Sequence, residues 1–294
     1  MTDKESVDSL EDFFSLVGND IRLDILRTLW DSYTDDPSPA PEPVPFSTLK
    51  NQVGVRDSGQ FHYHLDELVP VLVTHQYEGY TLTYAGARIV AAGYSGVYTN
   101  TDMTLESQAI DECSNCSGTL ELRYEQGHAV VNCDSCNATH IMSAPPILVG
   151  AHDVKADPEL FGTFTMTQIQ QTIRGFCYLC SGPVEGSVAD SSLDDETGAN
   201  GSIKVAFECT ECGTPFYTTA TTAVLDHPSV VSLLDDAGID YREIPVWRVR
   251  QTLSSKERIR DADPIRVEVA MTVNDDELTI VLNENLDVVD KSRT

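Results

Sequence analysis

All eight cysteines of this 294-residue chain stand in CxxC pairs: Cys113/Cys116, Cys133/Cys136, Cys177/Cys180 and Cys209/Cys212. A CxxC turn presents two thiolates from neighbouring backbone positions. Zn²⁺ takes four soft donors in a tetrahedron, so two such knuckles close one four-cysteine site. Sixteen residues separate the first two pairs and 28 the second two. The first interval falls within the roughly 15–20 residues usual for paired CxxC zinc sites. The intervening residues agree. Leu120, Leu122 and Tyr124 alternate with polar residues as in a half-buried strand, Gln126-Gly127-His128 supplies a turn, and 129–132 runs back into Cys133. Residues 139–142 offer a third strand, which completes a zinc ribbon. In the second module a strand over 202–207 enters Cys209, and the extra length, 190–201, reads as a mobile acidic loop. Two Zn²⁺ per chain are therefore expected. Four protein ligands leave no open coordination position, so both sites are structural. Thiol–disulfide chemistry is the competing use of CxxC, and four pairs at ribbon spacing argue against it. His128 and His140 lie close to the first site but outside its ligand set.

The chain carries 47 Asp+Glu against 19 Lys+Arg, a formal charge of −28. Taken alone, this opposes nucleic-acid binding, whose affinity comes largely from phosphate attraction. The acid is spread along the chain, and lysine is scarce, six against 13 arginines. That pattern reads as adaptation to molar salt, where the Debye length is about 3 Å and like charges barely repel. An ordinary acidic protein with basic partners is the other reading. The acid is also uneven: residues 46–100 sum to −1, where the chain average would give about −5. No run of 18 apolar residues and no basic-then-apolar leader is present, so the expectation is a cytoplasmic protein with no membrane partner.

Residues 1–10 read as a disordered acidic N-terminus and 11–100 as a winged helix-turn-helix. Apolar residues from Leu16 to Leu29 follow a helical period, broken at Gly18-Asn19, and Asn19 or Asp20 can cap a helix over 21–33. A loop with five prolines covers 34–45. A short helix follows with Ser47 as its N-cap, then a turn at Gly54-Val55. Asp57 or Ser58 caps a second helix with Phe61, Leu65 and Leu68 inward. Residues 72–83 form a hairpin turning at Gly79, the wing. Thr83 caps a closing helix to about Gly96.

The stretches FSLVGNDIRLDILRTL, RDSGQFHYHLDELV and YEGYTLTYAGARIV resemble winged-helix regulators of the ArsR type, in a form common among haloarchaea, over residues 11–98. With the ribbons and C-terminal part, the whole chain is similar to a haloarchaeal regulator family. The resemblance implies duplex DNA binding by a homodimer, with the second helix in the major groove. Residues 1–100 contain no cysteine, so the thiolate sensor site of metal-sensing members is absent.

With Phe61, Leu65 and Leu68 inward, Ser58, Gln60, His62 and Tyr63 point to the groove. Gln pairs bidentately with adenine, and His and Tyr donate to bases or phosphates. Arg56, Lys50 and Arg88 are phosphate candidates, and His75 and Tyr77 lie at the wing. Packing roles compete for Tyr63, Tyr80 and His64, and Arg22 is expected to pair with a carboxylate.

Residues 101–150 are assigned to the first ribbon and 151–294 to the second, embedded in an α+β domain. A helix is expected within 161–176, centred on 167–174, and another over 228–237, capped by His227-Pro228. Strands are expected over 244–248 and 265–273, the latter turning at 274–276 into 277–283 as an antiparallel hairpin. Trp247, Arg248 and Arg250 cluster there, as a partner site or as edge packing with ion pairs. No Ser/His/Asp set, P-loop, GxGxxG or open metal site is read, which argues against an enzyme. The fold class is multidomain α+β. The function expected is a homodimeric DNA-binding transcriptional regulator, with contact to the transcription machinery left open. Two alternatives remain: a protein like the archaeal general transcription factor E, acting on RNA polymerase, and an acidic zinc-ribbon interaction scaffold.

Overall fold

The computed structural model describes residues 9–35, 42–189 and 202–294. It is α+β with several antiparallel sheets, and it divides into two compact units, residues 1–101 and 102–294. The expected disordered start lies outside the described residues for 1–8, as do the acidic loop 190–201 and residues 36–41 of the proline-rich loop. Ser9 and Leu10 belong to structure: the Ser9 hydroxyl accepts from Asp12 N–H and opens helix α1, Leu10–Val17.

In the first unit, Asn19 Oδ1 accepts from Arg22 N–H at 3.3 Å at the start of α2, Asp20–Asp35. Helix α3, Phe46–Val53, has Pro45 rather than Ser47 at its N-cap. Proline's preset φ, here −60°, is already suited to a helix start, so the helix begins earlier than a hydroxyl cap would place it. It stops at Gly54, whose φ of 79° is left-handed. Asp57 then caps α4, Ser58–Leu68, accepting from Gln60 N–H at 2.7 Å. Strands β1, Val73–Gln76, and β2, Gly79–Leu82, pair antiparallel. Thr83 caps α5, Tyr84–Tyr94. Ile25, Leu26, Leu49, Phe61, Leu65 and Leu68 are fully buried at the centre of this unit. Arg22 is buried too. Its guanidinium donates to the carbonyls of Ser15 and Leu16 at the end of α1 and to Glu67 at 3.1 Å. It therefore ties three helices together.

The second unit begins with a four-stranded antiparallel sheet, β3 (Leu105–Glu112), β4 (Thr119–Glu125), β5 (His128–Cys133) and β6 (Thr139–Ser143). After a short α6, Ile147–Ala151, comes α7, Glu159–Ile173, then a three-stranded sheet of β7 (Val184–Val188), β8 (Lys204–Cys209) and β9 (Pro215–Thr219). Helices α8 (Ala220–Ala223), α9 (Pro228–Asp236, capped by His227) and α10 (Val249–Thr252) lead to a second four-stranded sheet. Its strands are β10 (Lys256–Ala262), β11 (Ile265–Val273), β12 (Asp276–Leu282) and β13 (Val288–Arg293). The expected hairpin is β11–β12, register Val269↔Ile280, with an edge strand added on either side.

Two expectations are corrected. Residues 244–248 form no strand, because Val246–Arg248 coil into a 3₁₀ turn. Pro245 removes a ladder donor, and the turn sinks Trp247 into the core. Helix α7 starts at Glu159, not near 167. Its glycine and threonines are weak helix formers, but packing overrides propensity. A Cβ on Gly162 would sit 2.5 Å from Pro245 Cβ and 2.9 Å from Trp247, so that glycine admits the turn. Phe161 of α7 enters the core under the first sheet with Tyr124 and Trp247. Met166 and Ile169 enter the core shared with Val205, Leu233, Val269 and Ile280.

Glu257 is a buried carboxylate at the join of these layers. It accepts from Ile203 N–H at 2.5 Å, Thr221 N–H at 3.0 Å and the Thr221 hydroxyl at 2.5 Å. Three donors satisfy the charge and tie β10 to the segments entering β8 and α8. Glu257→Ala would strand those donors and is expected to cost about 3 kcal/mol. The measurement is a urea unfolding curve read by Trp247 fluorescence in a Trp30→Phe background; a loss below about 1 kcal/mol would deny the carboxylate this role.

Candidate functional site

Each unit carries one candidate. In the second, the eight cysteines converge in two sets of four: Cys113, Cys116, Cys133 and Cys136 form one cluster, and Cys177, Cys180, Cys209 and Cys212 the other, with all Sγ atoms of a cluster within 4.8 Å. Sγ separations are 3.8 Å for Cys113–Cys136, 3.4 Å for Cys116–Cys133, 3.8 Å for Cys177–Cys212 and 3.5 Å for Cys180–Cys209. A tetrahedral ion with metal–sulfur bonds of about 2.3 Å sets its ligands about 3.8 Å apart. Both clusters are positioned to bind metal ions.

The local structure explains the convergence. Both first knuckles read C-x-x-C-S-G, Cys113–Gly118 and Cys177–Gly182. In each, the first cysteine takes a hydrogen bond from the serine N–H onto its carbonyl and donates its own N–H to the glycine carbonyl. Ser117 and Ser181 adopt positive φ, 57° and 64°. The glycine then lies against the opposing knuckle. A Cβ on Gly118 would meet Ser135 Cβ at 2.7 Å, and one on Gly182 would meet Glu211 Cγ at 2.9 Å. The duplicated C-x-x-C-S-G was legible in the sequence as an internal repeat. It marks two glycines that spacing alone did not single out.

Backbone and hydroxyl donors prepare part of each cluster for metal. The Ser135 N–H, donating to Cys133 Sγ at 3.3 Å, draws that thiol down to about 7. Thr214 draws Cys212 down to about 6. Cys116, despite the Gly118 N–H, is pushed up to about 12 by hydrogen bonds shared with Cys133 and Cys136. Cys180, despite the Gly182 N–H, is pushed up to about 12 by Cys212 and Cys209. His128 is exposed. His140 is half-buried, and burial lowers its pKa, leaving a neutral ring.

In the first unit, α4 sets Phe61, His64, Leu65 and Leu68 inward. Ser58, Gln60, His62 and Tyr63 are exposed, as are Arg56 before the helix, His75 and Tyr77 on the hairpin, and Arg88 on α5. Ser58, His62, His75 and Tyr77 line one open groove together with Phe46 and Tyr80. The Lys50 ammonium reaches its rim, donating to the Ser58 hydroxyl at 2.7 Å. His62 pairs with Asp66 at 3.3 Å, and Glu78 is a carboxylate on the groove. Gln60 and Tyr63 lie on the other flank of α4, with Arg22 6.0 Å from the Tyr63 ring. Tyr80 is buried and stacks on His75 with centroids 4.4 Å apart. His64 is buried, and desolvation followed by the Arg22 charge lowers its pKa. Ser58, His62, His75 and Tyr77 thus line one groove, with Lys50 bonded to Ser58, whereas Arg56, Gln60, Tyr63 and Arg88 do not line it.

Trp247 Nε1 donates to Asp111 at 3.2 Å, and Arg248 pairs with Asp111 and with Glu159 at 2.6 Å. These contacts fasten the 3₁₀ turn to β3 and α7. No helix among the described residues is long and apolar enough to cross a membrane.

Residues 111–288 match the model of a domain of unknown function, DUF7351, and the chain belongs to that family. Residues 10–92 match a second domain of unknown function, DUF7347. Neither curated proteins nor solved structures give a match.

Metal uptake should be linked to protons. At neutral pH Cys116 and Cys180 retain theirs without metal, so each ion expels at least one. Affinity should fall as pH drops through about 7 and about 6, where Cys133 and Cys212 gain protons. Chelator competition from pH 8 to pH 6 measures this, and a flat profile would contradict it. Gly118→Ala should weaken the first site and spare the second, read as metal retained per chain after chelator challenge.

Proposed function

We propose that this protein is a DNA-binding transcriptional regulator that acts as a homodimer, with its first unit a winged helix-turn-helix and its two cysteine clusters structural zinc ribbons. The observation that carries the reading is the division of α4. Its apolar side closes the core of the first unit; of its exposed residues, Ser58 and His62 share a groove with the hairpin residues His75 and Tyr77, and Gln60 and Tyr63 face solvent on the other flank. An amphipathic second helix with hydrogen-bonding residues in its first turns, next to a two-stranded hairpin, suits major-groove reading. The resemblance to ArsR-type regulators over residues 11–98 supports the same assignment.

The charge of residues 46–100, −1 in a chain of −28, supports it further. In molar salt the counterion-release gain is small, so recognition leans on hydrogen bonds and shape, for which Gln, His, Ser and Tyr are suited. Zinc is the metal that best fits four thiolates in a closed tetrahedron with no redox demand. The expected load is two Zn²⁺ per chain, and metal analysis giving none with all eight thiols titratable would sink the ribbons.

Genome-wide occupancy in the native host tests the function. Discrete palindromic sites support an operator-reading dimer. Promoter-wide co-occupancy with RNA polymerase would replace it by a general factor, and no enrichment by an interaction scaffold. In vitro, Gln60→Ala with His62→Ala should weaken operator binding by about 10-fold or more, with helix content and dimer mass unchanged because both side chains are exposed. Equal binding by this variant would move base reading off α4.

A further inference from the structure

Flat rings make up half of the described lining of the groove between α4 and the hairpin: Phe46, His62, His75, Tyr77 and Tyr80. At about 620 Å³ the groove has room for a nucleobase. Two of its rings are held in place. His75 lies on Tyr80 with 4.4 Å between centroids and 11° between planes, so one face of the imidazole is backed while the residue stays exposed. Tyr80 is anchored in turn, since its N–H and carbonyl exchange 2.9 Å hydrogen bonds with Val44. His62 is held by Asp66 at 3.3 Å and by an edge-on contact with Phe46, centroids 5.9 Å apart.

Tyr77 is placed differently. Its exposure is 103%, so the whole ring stands in water. Tyr77 and Glu78 are the two loop residues of the hairpin, because Gln76 pairs with Gly79. Two-residue hairpin loops favour Asn-Gly, Asp-Gly or Gly-X, for which positive φ is easy. Tyr-Glu is none of these, so turn chemistry does not account for the tyrosine, and neither does packing. Glu78 adds a carboxylate to the same groove. A carboxylate repels phosphate, but it accepts hydrogen bonds from the amino groups of bases. In paired duplex the neighbouring bases cover each base face, and only edges reach a protein. An unpaired base offers both a face to stack on aromatic rings and a Watson–Crick edge with free donors.

We propose that this groove takes an unstacked nucleobase, so that the protein prefers locally opened DNA to fully paired duplex. His75 and Tyr77 supply the ring faces, and Glu78 accepts from the base's amino group. Lys50, bonded to Ser58 at 2.7 Å, supplies charge for a flanking phosphate. The inference rests on the reading of the first unit as a DNA binder and names the form of DNA it takes. Stacking needs no cation, and every base has a face to offer. It therefore suits a chain of charge −28 and does not depend on the operator sequence.

The test uses the full-length, metal-loaded chain and two probes at one salt concentration. One is a DNA duplex of mixed sequence. The other is the same duplex with a short central unpaired loop carrying 2-aminopurine. The opened duplex is expected to bind about 10-fold tighter, with 2-aminopurine fluorescence falling as the base stacks on protein. Tyr77→Phe keeps the ring and should preserve the preference. Tyr77→Leu keeps apolar bulk without the ring and should reduce it to about 2-fold or less, as should His75→Ala. Both residues are exposed, so helix content should not change. Gln60→Ala, on the other flank of α4, should keep the ratio even where it lowers both affinities. Equal affinity for the two duplexes, or a preference indifferent to Tyr77→Leu, overturns this inference alone. Binding of neither duplex takes the DNA-binding reading with it, and single-stranded RNA bound as tightly as opened DNA would overturn the choice of DNA.

Discussion

Helix α7 is the element on which the second unit depends. It is buried on more than one side. Phe161 packs under the first ribbon sheet, Met166 and Ile169 pack against the second ribbon and the C-terminal sheet, and Gly162 admits Pro245 and Trp247. Each of the two cysteine-bearing sheets packs its apolar side against residues of α7. By sharing one helix, the two ribbons and the C-terminal sheet draw on a continuous set of contacts. The ion pairs of Arg248 with Asp111 and Glu159 lie where the 3₁₀ turn meets that helix. Partly exposed pairs of this kind add modest stability and mainly fix the position of the turn.

The two four-cysteine clusters set the other constraint. Each joins the start of one strand to the end of another through a C-x-x-C-S-G knuckle and a glycine with no room for a side chain. The repetition explains why the ribbons present equivalent outer strands, β6 and β9, to the space between them. Charge is distributed with the same selectivity. The chain is acidic almost throughout, yet residues 46–100, which carry α4 and the hairpin, sum to −1.

Legibility from sequence followed the strength of the local signal. The cysteine spacing located all eight members of the two clusters, because ligand identity and turn geometry are local. Alternation found β11, and the Asp57 and Thr83 caps were visible as short polar side chains preceding apolar periodicity. The edge strands were not visible. Strand β10 carries Glu257 as its buried residue and β13 is mostly exposed, so neither shows an apolar alternation. Polar, charged edges are how sheets avoid pairing with other chains, and that same polarity hides them. Residues 244–248 failed for the opposite reason: an apolar run looked like a strand, but proline and a tryptophan that needs depth made a turn.

The sequence by itself determined the metal-ligand set, the excess of acid with its local exception, and the inward face of α4, because each depends on residue type and short-range period. Tertiary structure alone decided the rest. It gathered Ser58, His62, His75 and Tyr77 at one groove, with Lys50 bonded to Ser58, while leaving Gln60 and Tyr63 on the other flank of the helix. It made Arg22 a strut by burying its guanidinium against carbonyls of α1. It also created a cavity between the ribbons, whose walls come from segments more than 100 residues apart, such as Ser143 and Arg250. Proximity of that kind is fixed by how apolar faces share a core, and no local pattern along the chain encodes it.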